Sequence, residues 1–146
     1  MLKVLIVEND LMIADMIEEM LVAEGYEVCG IARTVGAAVA MGWSHKPDLA
    51  IIDMRLDGGQ RGTEVADQLR GLPGLGILYA SGNCPEVVQT ATSGHACLSK
   101  PYKDTDLIRA LEIVVDLALT GKANVPLPPG LRLLSHDAGA EPAGVE

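Results

Sequence analysis

The chain opens on an apolar run, residues 2–7, broken only by Lys3, and turns polar at Glu8-Asn9-Asp10. An apolar run of this length with polar ends reads as a strand buried on both faces of a parallel sheet. From residue 11 to 23 the spacing changes. Ile13, Met16, Ile17, Met20 and Leu21 recur every three or four positions, and Gly25 follows as a stop. That spacing predicts an amphipathic helix. The exchange of periods then repeats: strands are predicted over residues 26–32, 49–52, 75–80 and 96–99, and helices over 34–44, 63–69, 85–92 and 105–119. The last helix carries Leu107, Ile108, Leu111, Val114, Val115 and Leu119 on one side. Strict alternation with connections too long for hairpins implies right-handed βαβ units and a parallel sheet with helices on both faces. Such sheets bind ligands just beyond the carboxyl ends of their strands.

Composition sets the size and excludes several classes. The 146 residues suffice for one domain, and 49% are hydrophobic, which is a globular composition. Aromatic residues are 3% and Phe is absent, so the core is expected to be Val, Ile, Leu, Met and Ala. Eleven Lys and Arg against twenty Asp and Glu give a net charge of −9, which repels nucleic-acid backbones and anionic membranes. No apolar run reaches the roughly 20 residues of a membrane span, and the first ten residues lack the features of a signal peptide, so a cytoplasmic protein is expected. Cys29, Cys84 and Cys97 are odd in number and widely spaced, with no C-x-x-C, and are expected to be reduced and mostly buried. Residues 1–120 are expected to form the domain. Residues 121–146, with Pro126, Pro128, Pro129 and Pro142, read as an extended Pro/Gly-rich tail whose one apolar cluster is Leu131, Leu133 and Leu134, solvated or docked on this or another chain. His45, His95 and His136 are expected on the surface or in loops.

The strand ends carry the candidate chemistry. The first apolar strand stops at Glu8 and Asn9, the third at Asp53, the fourth at Ser81 and the fifth at Lys100, which Pro101 follows. Any one of these can simply start a loop, but five polar groups around one sheet edge suit phosphoryl transfer to a carboxylate. Asp53 is then the nucleophile that accepts the group as an acyl phosphate. Glu8, Asn9 and Asp53 make an oxygen-rich cluster of the kind Mg²⁺ prefers. Lys100 offers a compact positive charge and Ser81 a hydroxyl for phosphoryl oxygens. The glycine-rich loop over residues 55–62 has no Gly-Lys-Ser/Thr ending and reads as a turn, not a nucleotide-binding loop.

Over residues 2–120 the chain resembles the receiver domains of two-component response regulators. The resemblance rests on Lys3-Val4-Leu5-Ile6-Val7-Glu8-Asn9-Asp10, Pro47-Asp48-Leu49-Ala50-Ile51-Ile52-Asp53, Ala80-Ser81-Gly82 and Lys100-Pro101-Tyr102, in that order. It implies an α/β, flavodoxin-like (βα)5 fold, a doubly wound five-stranded parallel sheet of strand order 2-1-3-4-5. It also implies phosphorylation of Asp53 by a sensor histidine kinase or phosphotransfer protein, with Ser81 and Lys100 assisting, and a Mg²⁺ site of Glu8, Asn9, Asp53 and the backbone carbonyl of Arg55. Gly76-Ile77-Leu78-Tyr79-Ala80-Ser81-Gly82-Asn83 further resembles the P-F-x-F-A-T-G-Y stretch of mostly single-domain receivers, keeping Ala80 and Gly82.

Two positions depart from the receiver pattern. Receivers usually carry a second acidic residue where this chain has Asn9, which implies a weaker metal site. They usually carry an aromatic residue where this chain has Cys97, so a change at Asp53 is expected to travel through Ser81 and the Gly82-Asn83 loop into the fourth helix. Arg55 and Asn83 are the positions expected to tune the lifetime of the acyl phosphate. The expected protein is a single-domain regulator, not an enzyme beyond its own phosphorylation and dephosphorylation, that signals to a downstream effector protein. Asp104, Asp106, Arg109 and Glu112 are candidate exposed contacts on the last helix, and a homodimer is left open. The alternatives are a pseudo-receiver that binds a partner without phosphorylation, and a small phosphatase or flavin protein. Glu8-Asn9-Asp10 supplies neither the D-x-D of the former enzyme nor the Ser/Thr-rich loop of the latter.

Overall fold

A computed structural model of the chain describes residues 1–134. Six strands, β1 (Lys3–Val7), β2 (Glu27–Ala32), β3 (Leu49–Asp53), β4 (Gly76–Ser81), β5 (Ala96–Ser99) and β6 (Leu131–Leu133), form one sheet in the order β2-β1-β3-β4-β5-β6. Five helices alternate with the first five strands: α1 (Leu11–Ala23), α2 (Val35–His45), α3 (Gly62–Gln68), α4 (Cys84–Thr90) and α5 (Asp104–Thr120). β1 to β5 are parallel, in the flavodoxin-like order 2-1-3-4-5.

The continuous apolar runs are explained by burial on both faces. Val4, Ile6, Leu49, Ile51 and Leu78 share a core with Ala14, Ile17 and Leu21 of α1 and with Leu107, Leu111 and Val114 of α5. The alternate residues Leu5, Val7, Ala50, Ile52, Ile77 and Tyr79 pack with α2, α3 and α4. Each fully buried Leu or Ile contributes about 1.5–3 kcal/mol, so this two-sided pattern outweighs weak local preferences. Short polar residues start α1 and α2: the Asp10 carboxylate accepts the N–H groups of Met12 and Ile13 at 3.0 and 3.3 Å, and the Thr34 hydroxyl accepts that of Ala37 at 3.2 Å. α3 begins hard against the end of β3. A side chain on Gly62 would collide with the Asp53 carbonyl and the Ile52 side chain, so this approach requires glycine.

Of the readings left open for the apolar cluster of the tail, docking on this chain is the one observed: Leu131–Leu133 adds β6 antiparallel to β5, with Leu131 beside Leu98 and Leu133 beside Ala96. Ser99 N–H donates to the Gly130 carbonyl and Leu134 N–H to that of His95, both at 2.9 Å. β5 would otherwise be an edge strand with unpaired backbone groups, and burying Leu131 in the α1/α5 core adds an apolar gain. Residues 135–146, His136 and Pro142 among them, lie outside the described residues. The cysteines are not all reduced: Cys84 and Cys97 are joined as a disulfide, with Cα atoms 5.8 Å apart, and Cys29 is free. Linear spacing did not reveal the pair because the packing of α4 on β5 creates it. Finally, α1 buries Ala14, Ile17 and Leu21, leaving Ile13 38% and Met16 65% exposed. Among the described residues no helix is long and apolar enough to cross a membrane.

Candidate functional site

The backbone fixes where the polar side chains start. Along the carboxyl edge of the sheet Val7 lies beside Ile52, Asp53 beside Ala80 and Ser81 beside Ser99. The ladder continues past the strand ends: Glu8 N–H donates to the Ala32 carbonyl at 2.9 Å, Met54 N–H to that of Ala80 at 3.2 Å and Lys100 N–H to that of Ser81 at 2.8 Å. The Lys100–Pro101 peptide is cis. Neighbouring strands therefore deliver Glu8, Asp53, Ser81 and Lys100 to one place.

Glu8, Asp53 and Ser81 are buried, with 4%, 8% and 8% of their surfaces exposed. Lys100 Nζ stands 3.1 Å from Asp53 Oδ1 and 3.7 Å from Glu8 Oε1, so one cation faces two buried carboxylates. Arg55 N–H also donates to Asp53 Oδ1, at 3.4 Å, and Asp10 N–H donates to Glu8 Oε2 at 3.0 Å. Burial pushes the Glu8 carboxyl above its usual pKa; the Asp10 N–H opposes this, the Asp53 charge adds to it and the Lys100 cation opposes it. Ser81 Oγ accepts the Asn83 N–H at 2.9 Å, and Asn83 Oδ1 accepts the Glu86 N–H at 3.3 Å, capping α4. A cavity of about 880 Å³ opens over this edge, with Asn9, Asp53, Arg55, Ser81, Asn83 and Lys100 in its wall.

Of the residues singled out in the sequence, Glu8, Asp53, Ser81 and Lys100 form one cluster, and Asn9 and Arg55 stand on its rim. Asn9 Nδ2 donates to Asp57 Oδ1 at 3.4 Å, and Asp57 in turn pairs with Arg33 at 3.3 Å. Asp57 went unnoticed because the glycine-rich loop that holds it gives no periodic signal. The neighbouring Asp10 carboxylate is engaged in capping α1. Among the described residues no group of three His, Cys, Asp or Glu side chains is placed to hold a metal. The edge instead offers two carboxylates and an amide, an all-oxygen set that fits Mg²⁺, a hard cation that keeps several of its waters. The burial that raises Glu8 is a penalty that a nearby divalent cation relieves.

A second groove, of about 720 Å³, runs from this cluster along α1, between Ile13, Met16, Ile17 and Met20 on one side and Lys100, Pro101, Tyr102 and Asp104 on the other. The Tyr102 hydroxyl is pushed up to about 12, first by burial and then by the charges of Glu8, Asp104 and Asp53. Met12, one turn before Met16 on α1, is 77% exposed. On α5, Asp104, Arg109 and Glu112 are exposed and Asp106 is half-buried.

Comparison with known proteins agrees with this geometry. The family model described as the response regulator receiver domain matches residues 4–112. The transcriptional regulatory protein PdtaR of Mycobacterium tuberculosis is 35% identical over 117 residues, which is 77% of this chain and 56% of that protein. The chain spans about half the length of the curated relatives it matches. The signal receiver domain of a modulated diguanylate cyclase from Desulfovibrio desulfuricans superposes with a TM-score of 0.71 at 29% identity, covering 84% of this chain and 99% of that one. The anti-anti-sigma factor PhyR from Bartonella quintana superposes with a TM-score of 0.63 at 28% identity, over 81% of this chain and 47% of that one. With the parallel sheet, the buried acidic edge and the facing lysine already in place, these similarities show that the chain belongs to the response regulator receiver domain family.

Proposed function

We propose that this chain accepts a phosphoryl group on Asp53 from the phosphohistidine of a sensor histidine kinase or phosphotransfer protein, and signals through protein contacts. The supporting observation is a buried carboxylate at the sheet edge with Lys100 Nζ 3.1 Å from its Oδ1. A carboxylate oxygen of Asp53 attacks phosphorus as the phosphorus–nitrogen bond breaks. The bonding pair leaves on the imidazole, which takes up a proton. Asp53 loses its charge in forming the acyl phosphate, so the Lys100 cation passes to the phosphoryl oxygens. The Ser81 hydroxyl then leaves the Asn83 N–H to donate to another of those oxygens.

Glu8, Asp53, the Asn9 amide oxygen and the Arg55 carbonyl would hold Mg²⁺, which supplies neutralisation of phosphoryl charge when bound. An amide brings less charge than a carboxylate, so Asn9→Asp should tighten Mg²⁺ binding several-fold; an unchanged affinity would count against this ligand set. Arg55 and Asn83, each two positions past a site residue, control access of the hydrolytic water. The apolar side chains of Met12, Ile13 and Met16, along the groove that leads to Lys100, are the surface on which the phosphodonor docks. Ala80 and Gly82 support a place among the P-F-x-F-A-T-G-Y receivers. Effector contact falls to α4 and α5, because β6 already occupies the free side of β5.

Incubation with acetyl phosphate and Mg²⁺, followed by intact mass, tests the acceptor. A single phosphoryl adduct that needs Mg²⁺ and is absent from Asp53→Asn is expected. No adduct across a wide Mg²⁺ range would leave the pseudo-receiver, with partner binding as its sole function.

A further inference from the structure

The Cys84–Cys97 pair lies between the two segments that the acceptor site uses. Cys84 follows Ser81 by three residues and opens α4; Cys97 precedes Lys100 by three residues and lies within β5. Their Cα separation of 5.8 Å is the ordinary span of a disulfide. Cys97 sits beside Tyr79 of β4, whose buried ring shares a core with Cys84 and Val87, and the Tyr79 hydroxyl donates to the Ser93 carbonyl at 2.8 Å. The ring closed by the bridge therefore contains all of α4 and the loop that returns to β5. Without the bridge, the seven residues of α4 are held by the Asn83 cap and a few apolar contacts, chiefly Val87 and Ala91.

The same geometry gives the bridge a consequence at Asp53. A shift of Ser81 Oγ toward a phosphoryl group would draw it away from the Asn83 N–H that it accepts, and the residues that start α4 would move with that contact. A covalent tie from position 84 to β5 resists that movement. β5 itself is laddered to β4 on one side and β6 on the other, so it cannot follow.

We propose that Cys84 and Cys97 are a reversible thiol–disulfide site, oxidised by a low-molecular-weight disulfide, and that the closed bridge clamps α4 and opposes phosphorylation at Asp53. The second part rests on the acceptor reading above; the first does not. Both cysteines are buried, Cys84 1% and Cys97 0% exposed; Cys84 is the attacking residue because the exposed Gly82-Asn83 turn lets the start of α4 open and bare it, whereas Cys97 is fixed mid-strand. Its thiolate attacks one sulfur of glutathione disulfide and expels a glutathione thiolate. The Cys97 thiolate then attacks the Cys84 sulfur of the mixed disulfide and expels the second glutathione. The two protons lost by the cysteines end on two glutathione thiols, so the two cysteines are oxidised and one glutathione disulfide is reduced. Disulfides in reducing compartments are usually of this transient, sensing kind. Cys29 is free and bonded to neither of the other two cysteines, so it has no part in the bridge.

The full chain, equilibrated in buffers of stepped reduced to oxidised glutathione, alkylated and weighed, tests the site. The expected result is a single transition in which two alkylation sites disappear together, also in Cys29→Ser. Two thiols that stay alkylatable in the most oxidising buffer, or a bridge that resists native reduction by dithiothreitol, would overturn it. Hydrogen exchange over residues 82–92 should be at least about fivefold slower in the oxidised form, and acetyl phosphate should label it more slowly by a similar factor, the lower end of ordinary coupling between sites. Equal exchange and equal labelling in both forms would overturn the clamp. Labelling of neither form, with the thiol transition intact, would instead fail the acceptor reading and leave the redox site standing.

Discussion

At Glu8, burial and charge compete most directly. Its carboxyl lies above the usual 4.5 because burial outweighs the help of the Asp10 N–H and Lys100. A raised folded-state pKa favours the folded chain below the unfolded value, and that advantage is lost as pH rises through the raised one. Without Mg²⁺, denaturation midpoints of the wild type relative to Glu8→Gln should therefore fall as pH rises above 4.5, then level off. A parallel pair of curves would mean that Glu8 is not desolvated. Gly62 gives a second test: Gly62→Ala forces a side chain against the Asp53 carbonyl and should cost about 1–3 kcal/mol, with acetyl-phosphate labelling slowed beyond what the lost stability explains. The cluster residues were legible in the sequence because each is a polar stop on an apolar run aimed at the same edge. The contact of Asn9 with Asp57 was not, since loop geometry decides where an amide points. The cysteine pair was invisible for a related reason: its sulfurs meet only after α4 has packed.

Elements were read most reliably where periodicity had many residues to act on. α1 is observed over the residues predicted, 11 to 23, and α5 starts one residue before its predicted range and ends one after it. Of the apolar positions read on α1, Ile17 and Leu21 go inward while Ile13 and Met16 stay exposed, because small Ala14, a weaker signal than Met16, is what fits against the sheet. β6 could not be called from three residues among prolines and glycines; its existence depends on the unpaired side of β5. Leu131→Asp should release it and lower stability by about 3 kcal/mol, with hydrogen exchange of Leu98 and Ser99 accelerated. Reduction of the bridge, which closes a short ring around α4, should lower stability by about 3 kcal/mol, seen as a drop in Tm that Cys84→Ser does not show on adding reductant.

For the molecule as a whole, two apolar layers and one sheet make a single cooperative unit, and a cation bound at its acidic edge stabilises all of it. Mg²⁺ at ten times its dissociation constant should add about 1.4 kcal/mol, an increment that Asp53→Asn reduces. The parallel sheet with helices on both faces followed from strand–helix alternation, its 2-1-3-4-5 order from the family resemblance, and the sixth strand from neither. That strand reverses the direction of the chain. β5 runs toward the Asp53 cluster, β6 runs away from it, and Leu134 is tied back to His95 at the opposite rim of the sheet. Leu134, the last described residue, thus stands at the rim opposite the Asp53 cluster, and the sixth strand covers the outer side of β5 without crossing the mouth of the site.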